Sequence, residues 1–71
     1  MVKFDRHARR RMKWRKISEA EVMMTLENPE RTEDTIKGRK NVYRLIGDRF
    51  LKVTYKLEPH GILVISAVVK D

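Results

Sequence analysis

The apolar residues of this chain change their spacing at Pro29, and that change restricts the possible folds more than any other feature. Before Pro29 they recur at helical intervals, as at Phe4, Ala8 and Met12. After it, apolar and polar residues alternate with the two-residue period of β-strands. A helical half followed by a strand-forming half is typical of the α+β class. The sequence therefore predicts two N-terminal helices packed on one face of a three- or four-stranded antiparallel sheet.

The predicted helices and strands have recognisable boundaries. A first helix is predicted at residues 4–15. A second is predicted at 19–27, where Ser18 and Glu21 form a capping box and Pro29 ends the helix. Strands are predicted at residues 31–36, 41–46, 49–57 and 62–69. The first of these strands is polar, so we expect it at an edge; the last is apolar at nearly every position, so we expect it inside the sheet.

The Gly47-Asp48 loop joins two of these strands in a hairpin, and its register decides which side chains share a face. A two-residue loop places Tyr43 opposite Lys52, so each face mixes charged with apolar side chains. Counting Arg49 as a third loop residue shifts the pairing by one. We prefer this bulged register because it separates charged from apolar side chains. The core face then carries Tyr43, Leu45, Leu51, Val53 and Tyr55. The other face carries the cations Lys40, Arg44, Lys52 and Lys56.

The chain is strongly basic: its 71 residues include 17 Lys and Arg against 10 Asp and Glu, a net charge of +7 with a pI near 10.2. Its length suits a single domain, residues 1–71. The absence of cysteine excludes disulfides, thiolate zinc sites and a cysteine nucleophile. The longest apolar run, residues 62–69, is much shorter than the ~20 residues of a membrane span. We therefore expect a cytoplasmic protein with no membrane partner.

The grouping of the cations indicates a surface that either is solvated or binds an anion. In the bulged register Arg44 lies beside Lys52 and Lys40 beside Lys56, and like-charged cross-strand pairs are destabilising. Screening by water makes such pairs tolerable, and so does a bound anion. A pI above 9 with clustered cations is typical of proteins that bind nucleic acid. The candidate contacts are Arg10, Arg11, Lys40, Arg44, Lys52 and Lys56.

Chemistry that depends on a metal or cofactor is not expected, because the two histidines lie far apart and no carboxylates stand at ligand spacing. Metal-free RNA cleavage remains, in which the 2′-hydroxyl attacks its own phosphate and cations stabilise the developing charge. The candidate catalytic residues are His7, as acid or base, with Arg44 and Lys52 as phosphate contacts. The alternative for His7 is a partly buried side chain with a structural hydrogen bond. His60 lies in a predicted turn and is expected to be exposed.

Several short residue groups along the chain point to a family. The N-terminal groups are His7, Arg10, Arg11-Met12, Arg15, Ile17-Ser18, Glu21-Val22 and Leu26-Glu27-Asn28-Pro29. The groups in the predicted strands are Val42-Tyr43-Arg44, Leu51-Lys52-Val53 and Leu63-Val64-Ile65. Together they cover nearly the whole chain and resemble a small prokaryotic family of uncharacterised domains. That family is similar in layout to the RelE/ParE and BrnT toxins of toxin–antitoxin pairs.

The resemblance implies a RelE/ParE-like fold and a toxin that cleaves RNA, free or on ribosome-bound mRNA, with an antitoxin as its protein partner. Arg44, Lys52 and Lys56 would supply the basic part of such a site. The C-terminal residues 67–71 lack the aromatic residue or histidine that RelE-type enzymes often have there, and ParE-like members poison gyrase instead of cutting RNA. Two alternatives stay open: a basic module that binds nucleic acid without reaction, and a domain that docks to a protein.

Overall fold

The computed structural model of the protein describes residues 1–70, apart from the side chain of Ile36. The elements in chain order are β1 (Val2–Phe4), α1 (Arg6–Arg15), α2 (Glu19–Glu27), β2 (Arg31–Asp34), a short 3-10 helix (Ile36–Gly38), β3 (Arg39–Ile46), β4 (Arg49–Glu58) and β5 (Gly61–Lys70). The strands form one sheet in the order β1-β5-β4-β3-β2. Within the described residues, no helix has the length and apolar character needed to cross a bilayer.

The α+β class is confirmed, and the four predicted strands pair antiparallel, but the sheet has a fifth strand that the sequence did not predict. The sheet is mixed, because β1 pairs with β5 in parallel while the other pairs are antiparallel. The prediction missed β1 because three residues are too short to display a period. Phe4, which was assigned to the first helix, ends this strand instead. Two of the predicted positions are confirmed: β2 is an edge strand and β5 lies inside the sheet.

Both helices begin at side-chain caps encoded in the local sequence. Asp5 caps α1, since its Oδ1 accepts from the backbone N–H of His7 at 2.8 Å. The predicted capping box of α2 is present. Ser18 Oγ accepts from the Glu21 backbone N–H at 3.1 Å, and Glu21 Oε1 accepts from the Ser18 backbone N–H at 2.8 Å. The prediction of α2 at residues 19–27 is therefore confirmed.

The β3–β4 hairpin has the two-residue loop, so the bulged register that the sequence favoured is wrong. Tyr43 lies opposite Lys52 and Arg44 opposite Leu51. Gly47 has a φ of 64°, the positive value that two-residue hairpin loops with a leading glycine require. An irregularity in the sheet occurs instead between β4 and β5, at Thr54/Tyr55.

The register gives the sheet one face that packs against the helices and one that does not. The buried cluster joins helix residues to strand residues that share a face: Met12, Ile17, Val22, Val42, Leu51, Val53, Val64 and Ala67. We call this the helix-side face and the opposite one the open face. Tyr55 packs against the cluster as predicted, whereas Tyr43 lies on the open face, which corrects its predicted place in the core.

Candidate nucleic-acid interface

The open face carries basic side chains from every strand of the sheet. Because directly paired residues point to the same side of a sheet, the pairings place on this face Lys3, Arg31, Arg39, Lys52, Lys56 and Lys70. Lys52 is half-buried and the others are exposed. Among the described residues, Arg31 alone of this group has a carboxylate partner, Glu33 at 3.4 Å. The face is therefore a broad cationic surface with little internal neutralisation.

A polar network lies at the β2–β3–β4 side of the open face. The Glu33 carboxylate accepts from the Tyr43 hydroxyl at 2.5 Å and from Asn41 Nδ2 at 3.1 Å. Thr54 Oγ1 donates to Asn41 Oδ1 at 2.6 Å. The Arg31 guanidinium lies over the Tyr43 ring, 4.3 Å from its centroid. The network explains how Tyr43 and Asn41 are buried, at 4% and 6% exposure, on a face with no helix.

The network moves the pKa values of the Glu33 carboxyl and the Tyr43 phenol further from neutral pH. The hydrogen bond from Tyr43, and then that from Asn41, lowers the pKa of Glu33 below its ordinary 4.5. The same bond to Glu33, with a contribution from burial, raises the pKa of Tyr43 above its ordinary 10.0. At neutral pH Glu33 is therefore a carboxylate and Tyr43 a phenol. A carboxylate that accepts from Tyr43, Asn41 and, at 3.4 Å, Arg31 is a weak proton acceptor. The network therefore orders the surface and is poorly suited to moving protons.

An aromatic side chain lies beside the cations on the open face. Phe50 is half-buried and stacks on Tyr43 with a centroid distance of 5.7 Å and an interplanar angle of 18°. It is paired with Lys70 on β5 and lies on the same strand face as Lys52. Apolar Val68 on β5 is directly opposite Lys52. The open face thus offers flat apolar surface next to positive charge.

The predicted basic face of Lys40, Arg44, Lys52 and Lys56 is divided between the two sides of the sheet. Lys52 and Lys56 lie on the open face, while Lys40 and Arg44 lie on the helix-side face. Arg44 Nη1 donates to the backbone carbonyl of Asn28, the last-turn cap of α2, at 2.9 Å. Lys40 Nζ is 3.7 Å from Asp34 Oδ1. This correction follows from the one-residue difference in hairpin register, which moves each side chain of one strand across the sheet.

The three predicted catalytic residues do not share a surface. His7 is exposed in the first turn of α1, and α1 contributes Met12 to the core on the helix-side face. Arg44 is on that face too, whereas Lys52 points away from it. Arg10 and Arg11 are exposed on α1, three and four residues after His7, so they lie on the same side of the helix as His7. The catalytic and binding roles of these residues stay predictions.

Several residues of the open face were not predicted from the sequence. Lys3 was missed with β1, and Arg31 and Glu33 were read only as part of a polar edge strand. The signal that could have found them was the Gly47-Asp48 loop, which fits a two-residue hairpin. A two-residue loop pairs Tyr43 with Lys52 and so places both on one face of the sheet. Alternate residues of the neighbouring strand β2, which are polar, then lie on the same face as Tyr43.

A comparison with known protein families identifies one match, and it spans almost all the elements described above. Residues 4–69 match the family described as "Domain of unknown function (DUF4258)". No curated protein and no solved structure shows a significant match. The family match gives no link to RelE/ParE or BrnT toxins. Since it covers both helices and the sheet from the end of β1 onward, the chain belongs to the DUF4258 family.

Proposed function

We propose that this domain binds RNA on the open face of its sheet. The observation that carries the proposal is the array of basic side chains from all five strands, most of which have no carboxylate partner among the described residues. Arg39 and Lys56 are directly opposite each other, and a like-charged pair in this position is destabilising unless water or a bound anion offsets the repulsion. A polyanion supplies that compensation at many positions at once.

The apolar part of the open face favours RNA that is not paired into a duplex. Phosphates would contact Lys52 and Lys56, while exposed bases would lie against Phe50 and the apolar side chains of β5. A flat sheet surface with aromatic residues is a common platform for single-stranded RNA, whereas a duplex presents only its phosphates and grooves. The net charge of +7 would attract either form, so the apolar contacts would provide the preference.

Binding is a better match to the geometry than cleavage. His7 and Arg44 are separated by the sheet from Lys52, and the Glu33 carboxylate already accepts from three side-chain donors. A cleaving site needs a proton acceptor and cations within reach of one phosphate. The resemblance to RelE/ParE and BrnT toxins predicts cleavage and neutralisation by an antitoxin. Measuring RNA integrity together with affinity tests for cleavage.

The test compares two double variants that remove equal charge. Lys52→Gln with Lys56→Gln changes the open face; Lys16→Asn with Lys37→Asn changes two exposed lysines outside it, both with positive φ values that asparagine tolerates. Affinity for a labelled single-stranded RNA is measured between about 50 mM and about 200 mM salt. The open-face variant should reduce the slope of log K against log salt by about 1.4, corresponding to two lost phosphate contacts at about 0.7 each.

The control variant should keep the wild-type slope. Equal losses in the two double variants would show that only net charge matters and would contradict an open-face site. A parallel titration with single-stranded DNA separates RNA from DNA binding. Intact RNA after incubation, and unimpaired growth of cells that express the protein, would favour binding over a toxin activity; cut RNA and growth arrest would favour the toxin.

A further inference from the structure

A groove on the outer side of α1 combines the single tryptophan of the chain with cations. Its lining residues are Arg9, Arg10, Lys13 and Trp14, and we call it the α1 groove. Trp14 is 72% exposed, although tryptophan has a large apolar side chain that proteins usually bury for the most part. The sequence contains one tryptophan, so this side chain can be followed without interference.

The fold does not use the Trp14 side chain. The side of α1 that faces the sheet carries Ala8 and Met12, which are 1% and 3% exposed. Trp14 follows Arg10 by four residues, so the two lie next to each other on the outer side of the helix. Within residues 1–70, the indole makes no aromatic pair and no cation–π contact. Isolated exposed apolar residues are common, so the exposure alone indicates nothing.

The charges in the groove are what distinguish this tryptophan. Arg9 has partners already: it pairs with Glu19 at 2.6 Å and lies over the Phe4 ring, 5.1 Å from its centroid. Arg10 and Lys13 have no ion pair among the described residues. The groove therefore offers a flat aromatic surface with two uncompensated positive charges at its edge.

We propose that the α1 groove binds an unpaired base of single-stranded RNA, stacked on Trp14, with Arg10 and Lys13 on the neighbouring phosphates. This inference rests on the proposed RNA-binding function and adds a second contact for the single-stranded RNA. Every base has a π-face, so stacking on an indole is tolerant of sequence. In a duplex the bases are stacked on each other and cannot reach the indole. The groove lies on the side of α1 away from the sheet, so it is a second contact, separate from the open face.

Two other occupants fit the groove less well. Insertion into a membrane surface needs several apolar side chains on one side of a helix, and Trp14 is the only large apolar residue on the outer side of α1. An acidic protein would use the tryptophan as an interface hot spot, which works when surrounding residues exclude water. Here the neighbouring side chains of Arg9, Arg10 and Lys13 are long, charged and exposed, so they do not exclude water.

The first experiment follows the fluorescence of Trp14 in the wild-type protein. An oligouridylate of about ten nucleotides should quench the emission with saturation, and an RNA duplex of equal length should change it little. A glutamate-rich peptide and vesicles containing phosphatidylserine are titrated in parallel. Quenching by the duplex as strong as by the single strand overturns the proposal, and so does a response to the peptide or vesicles with none to the oligouridylate.

The second experiment separates stacking from general apolar contact. Affinity for labelled oligouridylate is compared for Trp14→Leu, Trp14→Phe and a control, Met24→Ala, which alters another exposed apolar residue on a helix. Trp14→Leu should bind about tenfold more weakly, the magnitude expected for loss of one stacked base. Trp14→Phe should keep most of the wild-type affinity because phenylalanine also offers an aromatic face, and Met24→Ala should bind as the wild type does. Circular dichroism verifies that the variants are folded.

The salt dependence distinguishes failure of this inference from failure of the proposed function. Trp14→Leu removes no positive charge, so its salt slope should equal that of the wild type. If Trp14→Leu binds as tightly as the wild type while Lys52→Gln with Lys56→Gln flattens the slope, the open face binds RNA and the stacking proposal is wrong. If the wild-type protein binds no RNA at all, both proposals are wrong.

Discussion

Replacing Arg49 with methionine should destabilise the domain, because this side chain connects both helices to the sheet. Arg49 begins β4, and its Nη1 donates to the Lys16 carbonyl at 3.1 Å and, at 3.5 Å, to that of Arg15. Its Nη2 donates to Glu21 Oε2 at 2.6 Å. One residue thus compensates the negative end of α1 and contacts the capping box of α2. Methionine keeps the length of the stem but removes all these donors.

The size of the effect follows from these contacts. The Arg49 and Glu21 side chains are 29% and 23% exposed, so their ion pair is better shielded from water than a surface pair. Hydrogen bonds from a charged donor contribute about 1.5 kcal/mol or more, and a partly exposed ion pair up to about 1 kcal/mol. We expect a loss of about 2 kcal/mol, against a total of roughly 4–10 kcal/mol for a domain of this length. Arg49→Lys should lose about half as much, since an ammonium keeps the charge without the fork.

Urea unfolding followed by circular dichroism measures the loss of stability. Arg39→Met is the control, because Arg39 is exposed and has no side-chain partner among the described residues.

The same measurement in acid tests the contribution of Glu21. The hydrogen bond from Ser18, and then that from Arg49, lowers the pKa of Glu21 below its ordinary 4.5. The Glu21 contribution is therefore fully present above pH 4.5 and is lost as the pH falls through the lowered pKa. The difference between Arg49→Met and wild type should shrink in acid without vanishing, since the carbonyl contacts remain.

Two results would refute this reasoning about Arg49. A loss no larger than that of Arg39→Met would mean that the contacts to the helices contribute nothing measurable. A loss that is identical at neutral and acid pH would mean that the pair with Glu21 does not contribute. A double-mutant cycle with Glu21→Gln isolates that pair, and we expect a coupling energy of about 1 kcal/mol.

Two further predictions concern the α2 cap and the open-face network. Ser18→Ala should cost about 1 kcal/mol, because it leaves the Glu21 backbone N–H without its acceptor; an unchanged urea midpoint would contradict this. The pKa of Tyr43 is raised above 10.0 chiefly by its bond to Glu33, so the stability that this bond contributes is present below pH 10.0 and is lost as the pH rises through the raised pKa. In the Tyr55→Phe background, where Tyr43 is the one remaining tyrosine, an ultraviolet titration should show this raised midpoint, and adding Glu33→Gln should bring it back toward 10.0.

The sequence by itself determined the parts of the fold whose causes lie within a few residues. The capping box of Ser18 and Glu21 predicted the start of α2, because both partners belong to one helical turn. The alternation after Pro29 predicted β3, β4 and β5 to within two residues at each end. The net charge of +7 predicted a cationic surface, but it did not specify which residues form it.

The tertiary structure decided the faces of the sheet, and with them the candidate site. The bulged register was favoured because it separates charged from apolar residues within the hairpin. That preference was wrong because it assumes that every cation is exposed. Arg44 and Arg49 can lie on the helix-side face since they donate to Asn28 and Lys16, carbonyls that are 16 and 33 residues away in the sequence. Tyr43 can lie on the open face since Arg31 and Glu33 of β2 cover it. Such compensation depends on contacts between distant segments, which no pattern within a single strand records.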